Sequence, residues 1–265
     1  MDGVSKDITS ILADWPNDQE GVAARLIIDG DGRQWLQMRL HLGLLQMALD
    51  GRPDGQRPRG CGSLLEHFGR LPAEQWARLD DSDYAELSRE VTQFYHRRVG
   101  LLAVAGQCQA RGEPGRAIEM FRRAVRDADH NLAIMDLLHA RCPDDRRVEP
   151  HEQYRPFVLG QRTYALAHRL VLQGRRDEAV EQIKAGRSAI EGVYRNGGAA
   201  ELIEYDPSVK QLRQLERRIR RTYKIDRTLA EQLADAIDQE QYERAADLRD
   251  QIARRQDGPD EPGGP

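Results

Sequence analysis

From residue 63 to residue 256 the apolar residues of this chain recur at steps of three and four, and breaks containing Gly, Pro or a polar cluster interrupt them. That recurrence is the signature of amphipathic helices. It predicts helices over 63–68, in "PAEQWARL", over 81–110 with Ser82 or Asp83 as N-cap, and over 111–141. A Pro-containing break is expected at 142–150. Further helices are expected over about 153–172 and 177–194, the latter closed by the glycines of "NGGAA", and then over 207–223. Charged residues make up 32% of the 265 and aromatics 6%, a balance that fits solvated helices and argues against an aromatic-rich β-sandwich.

The N-terminal part reads differently. Leu36, Met38, Leu40 and Leu42 alternate with Gln37, Arg39 and His41, a period of two, and Ala24, Leu26 and Ile28 form a matching face. Between them, Asp29-Gly30-Asp31-Gly32 supplies residues suited to a tight turn. A β-hairpin follows, with Leu36, Met38 and Leu40 against helices and Gln37 and Arg39 toward water. Two strands alone are marginal, so the hairpin must pack on helices or pair with another edge. Residues 51–62, "GRPDGQRPRGCG", form a Gly/Pro/Arg-rich loop.

"GEPGRAIEMFRRA" and "GRRDEAVEQIKAG" are alike: Gly112 matches Gly174, Ala117 matches Ala179 and Glu119 matches Glu181. A glycine ends one helix and a small residue in the next permits close packing. The pair resembles the helix hairpins of tetratricopeptide arrays. A generic helical bundle is the other reading.

Residues 228–256 carry a thinner pattern. Leu229, Leu233 and Ile237 recur at steps of four, and Tyr242, Ala245, Ala246, Leu248 and Ile252 line a second face. The polar "DQEQ" separates them, so a helical hairpin is expected. Its few large apolar groups barely offset the ordering of about 30 residues, so it should pack on a partner. The small Ala245 and Ala246 allow close approach.

Leu233, Ala236, Ile237 and "YERAADLRD", with Arg249, Asp250 and then Ile252, resemble the UVR (UvrB/UvrC) motif. In that family the motif is a dimerising helical hairpin that joins subunits of the bacterial excision nuclease. It also occurs in Clp-protease ATPases and in the activator of a protein arginine kinase. The resemblance implies a bacterial protein and protein–protein association rather than catalysis. The expected partner-binding residues are Leu233, Ile237, Tyr242, Ala245, Ala246, Leu248, Arg249, Asp250 and Ile252.

Just before the hairpin, residues 210–227 hold eight Lys or Arg against Glu216 and Asp226, with Val209, Leu212, Leu215, Ile219 and Tyr223 as an apolar stripe. Arg217, Arg218, Arg220 and Arg221 are candidate contacts to nucleic acid or to an acidic partner; a solvated helix face is the plainer reading. A formal charge of −4 does not mark the whole chain as a nucleic-acid binder.

Other chemistries find little footing. "HEQYR" resembles HExxH, but Arg155 stands where the second histidine would be. Asp29-Gly30-Asp31-Gly32 resembles the start of a calcium loop, but Leu40 takes the twelfth position. No GxxxxGK[ST] loop, CxxC pair or nucleophile–His–acid set can be picked out, so no catalytic residue, metal or cofactor is expected. Three separated cysteines read as reduced thiols. No apolar run reaches membrane length and the N-terminus lacks a signal-peptide pattern, so a cytoplasmic protein is expected.

The expected architecture is mainly α. An N-terminal β-hairpin and loop span 1–62, a tetratricopeptide-like helical region 63–206, a basic helix 207–227, a UVR hairpin 228–256 and a disordered tail 257–265. The expected function is a non-enzymatic adaptor or scaffold that docks on another protein or on itself through the hairpin. One alternative is an accessory factor in DNA repair that touches DNA through the basic helix. Another is an enzyme of unknown class with a site at the Arg/Gly loop.

Overall fold

The computed structural model describes residues 8–15 and 21–256; the expected tail at 257–265 lies outside the described residues. The chain divides into two compact units, Met1–Tyr154 and Arg155–Pro265. The helical stretch expected over 63–206 therefore contributes to both.

The first unit opens with a short helix, α1 (Thr9–Ala13), and an antiparallel sheet of β1 (Ala24–Ile28), β2 (Gln34–Leu40) and β3 (Gly43–Ala48), in the order β1-β2-β3. β1 and β2 pair with Leu26 opposite Leu36 and Ala24 opposite Met38. The turn between them is tied by the Asp29 carboxylate, which accepts from the Asp31 and Arg33 amides and from Trp35 Nε1. Leu36 and Met38 are buried as expected, but two facing expectations fail. Leu40 is largely exposed, because the strand ends there and the chain reverses at His41-Leu42 into β3, a strand the period-two pattern did not reveal. Gln37 is buried: its side chain is held between Arg25 Nε and the Gln46 amide on the strands either side. Arg39 is half-buried and donates to the carbonyls of Trp15 and Gly43.

Five further α-helices belong to this unit: α2 (Leu64–Gly69), α3 (Ala73–Trp76), α4 (Asp81–Ala110), α5 (Pro114–Arg141) and α6 (Asp145–Glu152). Ser63 caps α2 as its sequence suggests. The N-cap of α4 is Asp80, not Ser82 or Asp83, since Asp83 returns its side chain to the Asp80 amide and completes a capping box. The expected break at 142–150 is largely helical, with Pro150 inside α6.

α4 and α5 form a long hairpin turned by Gly112 at φ +73, with Ala117 fully buried after it. The sheet lies on α4: a Cβ at Gly100 would meet the Leu36 side chain at 2.9 Å. Behind β3, the fully buried Arg97 pairs Asp127 through two 2.7 Å contacts and donates from Nη1 to the carbonyls of Ala48 and Gly51 at 2.8 Å. Arg123 and Arg126 reach Leu49 O and Asp50. Guanidinium groups thus take up carbonyls that the sheet leaves unpaired.

The second unit holds α7 (Arg155–Leu172), α8 (Arg176–Asn196), α9 (Pro207–Tyr223), α10 (Leu229–Asp238) and α11 (Tyr242–Gln256). The α7–α8 turn repeats the first hairpin's device, with Gly174 at φ +79 and Ala179 fully buried. α7, α8 and α9 enclose a core that includes Ala167, Val180, Ile183, Leu212 and Ile219. α9 has the expected bounds and buries the expected stripe, Val209, Leu212, Leu215 and Ile219. Asp206 caps it by accepting from the Val209 amide, and Pro207 occupies its first turn.

Candidate functional site

The C-terminal hairpin is built from caps and alanines more than from large apolar groups. Thr228 accepts from the Glu231 amide at 3.1 Å and Glu231 Oε2 accepts from the Thr228 amide at 2.8 Å, so a capping box starts α10. The helix stops where Glu240 takes the left-handed conformation at φ 56, and the Gln241 amide reaches back to Ala236 O at 2.8 Å. α11 then runs antiparallel to α10. Their shared core is Ala236, Ala245 and Leu248, with Leu229 and Leu233 packed against it half-buried.

This arrangement separates two alanines that the sequence places side by side. Ala245 points into the seam, where small side chains at 236 and 245 permit close approach. Ala246 is exposed, so its small size is not explained by packing within the hairpin. Ile237 and Tyr242, expected to add to the hairpin's apolar content, stand outside it at 51% and 69% exposure. Tyr242 and Ala246 lie one turn apart on α11, and Ile237 lies one turn beyond the half-buried Leu233 on α10. Arg249 and Asp250 are exposed and pair with each other at 2.9 Å. Ile252 is half-buried at the far end of the seam. Of the nine residues expected to bind a partner, Ala245 and Leu248 hold the hairpin together, and Ile237, Tyr242, Ala246, Arg249 and Asp250 are open to solvent.

The hairpin is fastened to α8 and α9 by polar contacts at its base. Glu231 receives Arg220 Nη2 at 2.7 Å and Lys184 Nζ at 3.1 Å; Thr228 Oγ1 donates to Glu181 at 2.5 Å. Arg220 also donates to Glu216, which pairs with Arg187. Arg227 pairs with Asp235. Burial pushes the Glu231 carboxyl up, but Arg220, the Thr228 amide and Lys184 outweigh it and hold the pKa at about 2. Beside this fastening lies a cleft of about 650 Å3, with Gly174, Arg176, Tyr223, Ile225, Leu229 and Ile252 among its walls. The sequence signals only part of the fastening: Thr228 and Glu231 have capping-box spacing, while nothing local marks Glu181 or Lys184.

The four arginines named as candidate contacts to nucleic acid or to an acidic partner have separate fates. Arg220 is occupied by Glu216 and Glu231, and Arg218 lies 3.5 Å from His168 Nε2. Arg217 and Arg221 are exposed, and with Lys224 they have no ion-pair partner among the described residues.

Other candidate groups are taken up structurally. Arg52 of the Arg/Gly loop is buried against Asp54, Glu90 and Gln93. Arg59 pairs with Asp83. Buried Glu90 accepts from the Leu64 and Leu65 amides and contacts His130 at 2.9 Å, an N-terminal anchor for α2. Among the described residues, no group of three or more His, Cys, Asp or Glu is placed to hold a metal ion. Among them, too, no helix is long and apolar enough to cross a membrane.

Compared with known families, residues 227–257 match the UVR family, described as the UvrB/uvrC motif. The matched span coincides with the hairpin of α10 and α11, so the chain carries a C-terminal UVR motif. UVR motifs serve interactions with proteins or with DNA. No curated protein and no solved structure matches the chain.

Proposed function

We propose that this chain is a non-enzymatic protein-interaction adaptor whose UVR hairpin is the docking element. The observation that carries the reading is the placement of Ile237 and Tyr242. A hairpin with so small a core leaves its single aromatic side chain and an isoleucine on the outer surface. Burying what remains exposed of those two side chains against a partner is worth on the order of 1 to 2 kcal/mol each. The motif match is in keeping with the reading, because UVR motifs serve interactions with proteins or with DNA. The helical body then acts as the mount for the hairpin.

The test is a quantitative pull-down from the native cell with the intact chain and with Ile237→Asp/Tyr242→Ala. The adaptor reading expects co-purifying proteins to fall by about tenfold or more at unchanged bait level and unchanged helicity. Equal recovery by the two chains contradicts it.

A further inference from the structure

Charge is segregated in the second unit. α9 carries six Lys or Arg against one carboxylate, whereas residues 229–252 carry seven carboxylates against two arginines. Part of this opposition is used within the chain, where Arg220 meets Glu231. Other members pair elsewhere, Arg213 with Glu204, Asp235 with Arg227 and Asp250 with Arg249, and a cationic and an acidic group are left over. Arg217, Arg221 and Lys224 are exposed around a surface depression of about 450 Å3 that Arg220, Ile225 and Asp226 also line. At the hairpin tip, Asp238, Glu240 and Glu243 are exposed beside Ile237 and Tyr242, and none of these carboxylates has an ion-pair partner among the described residues.

The tip cannot reach the depression of its own chain. α10 is 10 residues long, so it holds the tip about 15 Å from Thr228, which lies just after Lys224. A helix of fixed length cannot fold back on its own base. The complementary surfaces can meet only across two chains. We infer that the UVR hairpin tip of one copy docks on the cationic end of α9 in a second copy, with Tyr242 and Ile237 against the depression and Asp238, Glu240 and Glu243 facing Arg217, Arg221 and Lys224. Each copy carries both surfaces, so two such contacts close a two-fold pair. The contact is small, and its dissociation constant belongs in the range of about 1 to 100 µM. A duplex nucleic acid is the less suited occupant of α9, because the acidic hairpin beside it repels phosphates.

The inference rests on the docking reading of the hairpin, and one experiment separates the two. Sedimentation velocity of the full chain is run over a concentration and salt series. One variant reverses the receptor, Arg217→Glu/Arg221→Glu; the other reverses the tip, Glu240→Lys/Glu243→Lys. Each alone should weaken self-association by about tenfold or more, and wild-type association should weaken as salt rises. An equimolar mixture of the two variants should restore the dimer, because the acidic tip of one then meets the basic α9 of the other and the converse contact is attractive too. Should either reversed chain melt early, Arg217→Gln/Arg221→Gln and Glu240→Gln/Glu243→Gln replace them, with loss of the salt dependence as the expected result. A wild-type chain that stays monomeric overturns the inference, as does association unmoved by either variant or lost without rescue on mixing. If the wild type is monomeric and binds labelled duplex through Arg217 and Arg221, nucleic acid is the occupant instead. In all these cases the docking reading stands if Ile237→Asp/Tyr242→Ala still abolishes partner capture, and falls if it does not.

Discussion

Glu231, the third residue of the first turn of α10, receives Arg220 of α9 at 2.7 Å, and through that contact and Lys184 the UVR hairpin is joined to the helical body by charge rather than by a shared apolar core. Glu231→Gln keeps a side chain able to accept from the Thr228 amide and loses the charge. Two partly exposed pairs are worth about 0.2 to 1 kcal/mol each. The hairpin amides should therefore exchange several-fold faster with solvent hydrogen, while α7 and α8 keep their protection. Acid should act in the same direction. The carboxyl sits at about 2 when folded against an ordinary value of 4.5, so its contribution is complete above about 4.5 and is lost as pH falls toward 2. Hydrogen exchange of wild type and Glu231→Gln over that interval is the check.

The crossing of α7 and α8 depends on Gly186, where a Cβ would overlap the Thr163 side chain. Alanine in an exposed helix would gain about 1 kcal/mol over glycine. Here overpacking costs about 1 to 3 kcal/mol, so Gly186→Ala should lower the melting temperature. Adding Thr163→Ala removes the two nearest atoms but leaves Thr163 Cβ 2.7 Å away, so the double variant should recover only part of the loss.

Much of this architecture is legible in the sequence because long helices declare their period. α9 follows its Val209–Leu212–Leu215–Ile219 stripe to both ends, and Gly112 and Gly174 stop their helices in the left-handed conformation glycine favours. Four features were hidden for physical reasons. β3 reads "GLLQMA", with no clean alternation. Gln37 is covered by its cross-strand neighbours Arg25 and Gln46, a burial that no single-strand pattern reports. At the site, spacing places Ala245 and Ala246 in one stripe, and only the crossing of α10 and α11 decides which faces the seam. Likewise Arg220 differs from Arg217 through Glu231, a partner eleven residues away along the chain.

In the first unit, Arg97→Ala should cost about 3 to 5 kcal/mol. It leaves the Asp127 carboxylate buried without its bidentate partner and frees the carbonyls of Ala48 and Gly51. Thermal unfolding measures the loss. Arg126→Ala, whose guanidinium is partly exposed, should cost markedly less.

His168 gives the second unit a pH dependence in the mildly acidic range. Burial and the nearby Arg218 charge hold its pKa down at about 4, against 6.5 for a free imidazole. Between those values the unfolded chain binds the proton and the folded chain does not. Its stabilising effect is thus present above about 6.5 and is lost as pH falls toward 4. From pH 7 to pH 5 the loss is about 2 kcal/mol. Melts of wild type and His168→Gln should diverge in slope over that interval, with the variant flatter.

The outer face of the hairpin carries the functional reading, and Tyr242 is its most exposed large hydrophobic side chain. A photoreactive phenylalanine analogue at Tyr242 of the full-length chain, irradiated in the native cell, reports what that face touches. Leu42, at 95% exposure in the first unit, is the control position. The account predicts a discrete ultraviolet-dependent protein adduct from position 242 that is absent from position 42 and lost when Ile237→Asp is added. No adduct at 242, or the same adducts at both positions, would contradict it.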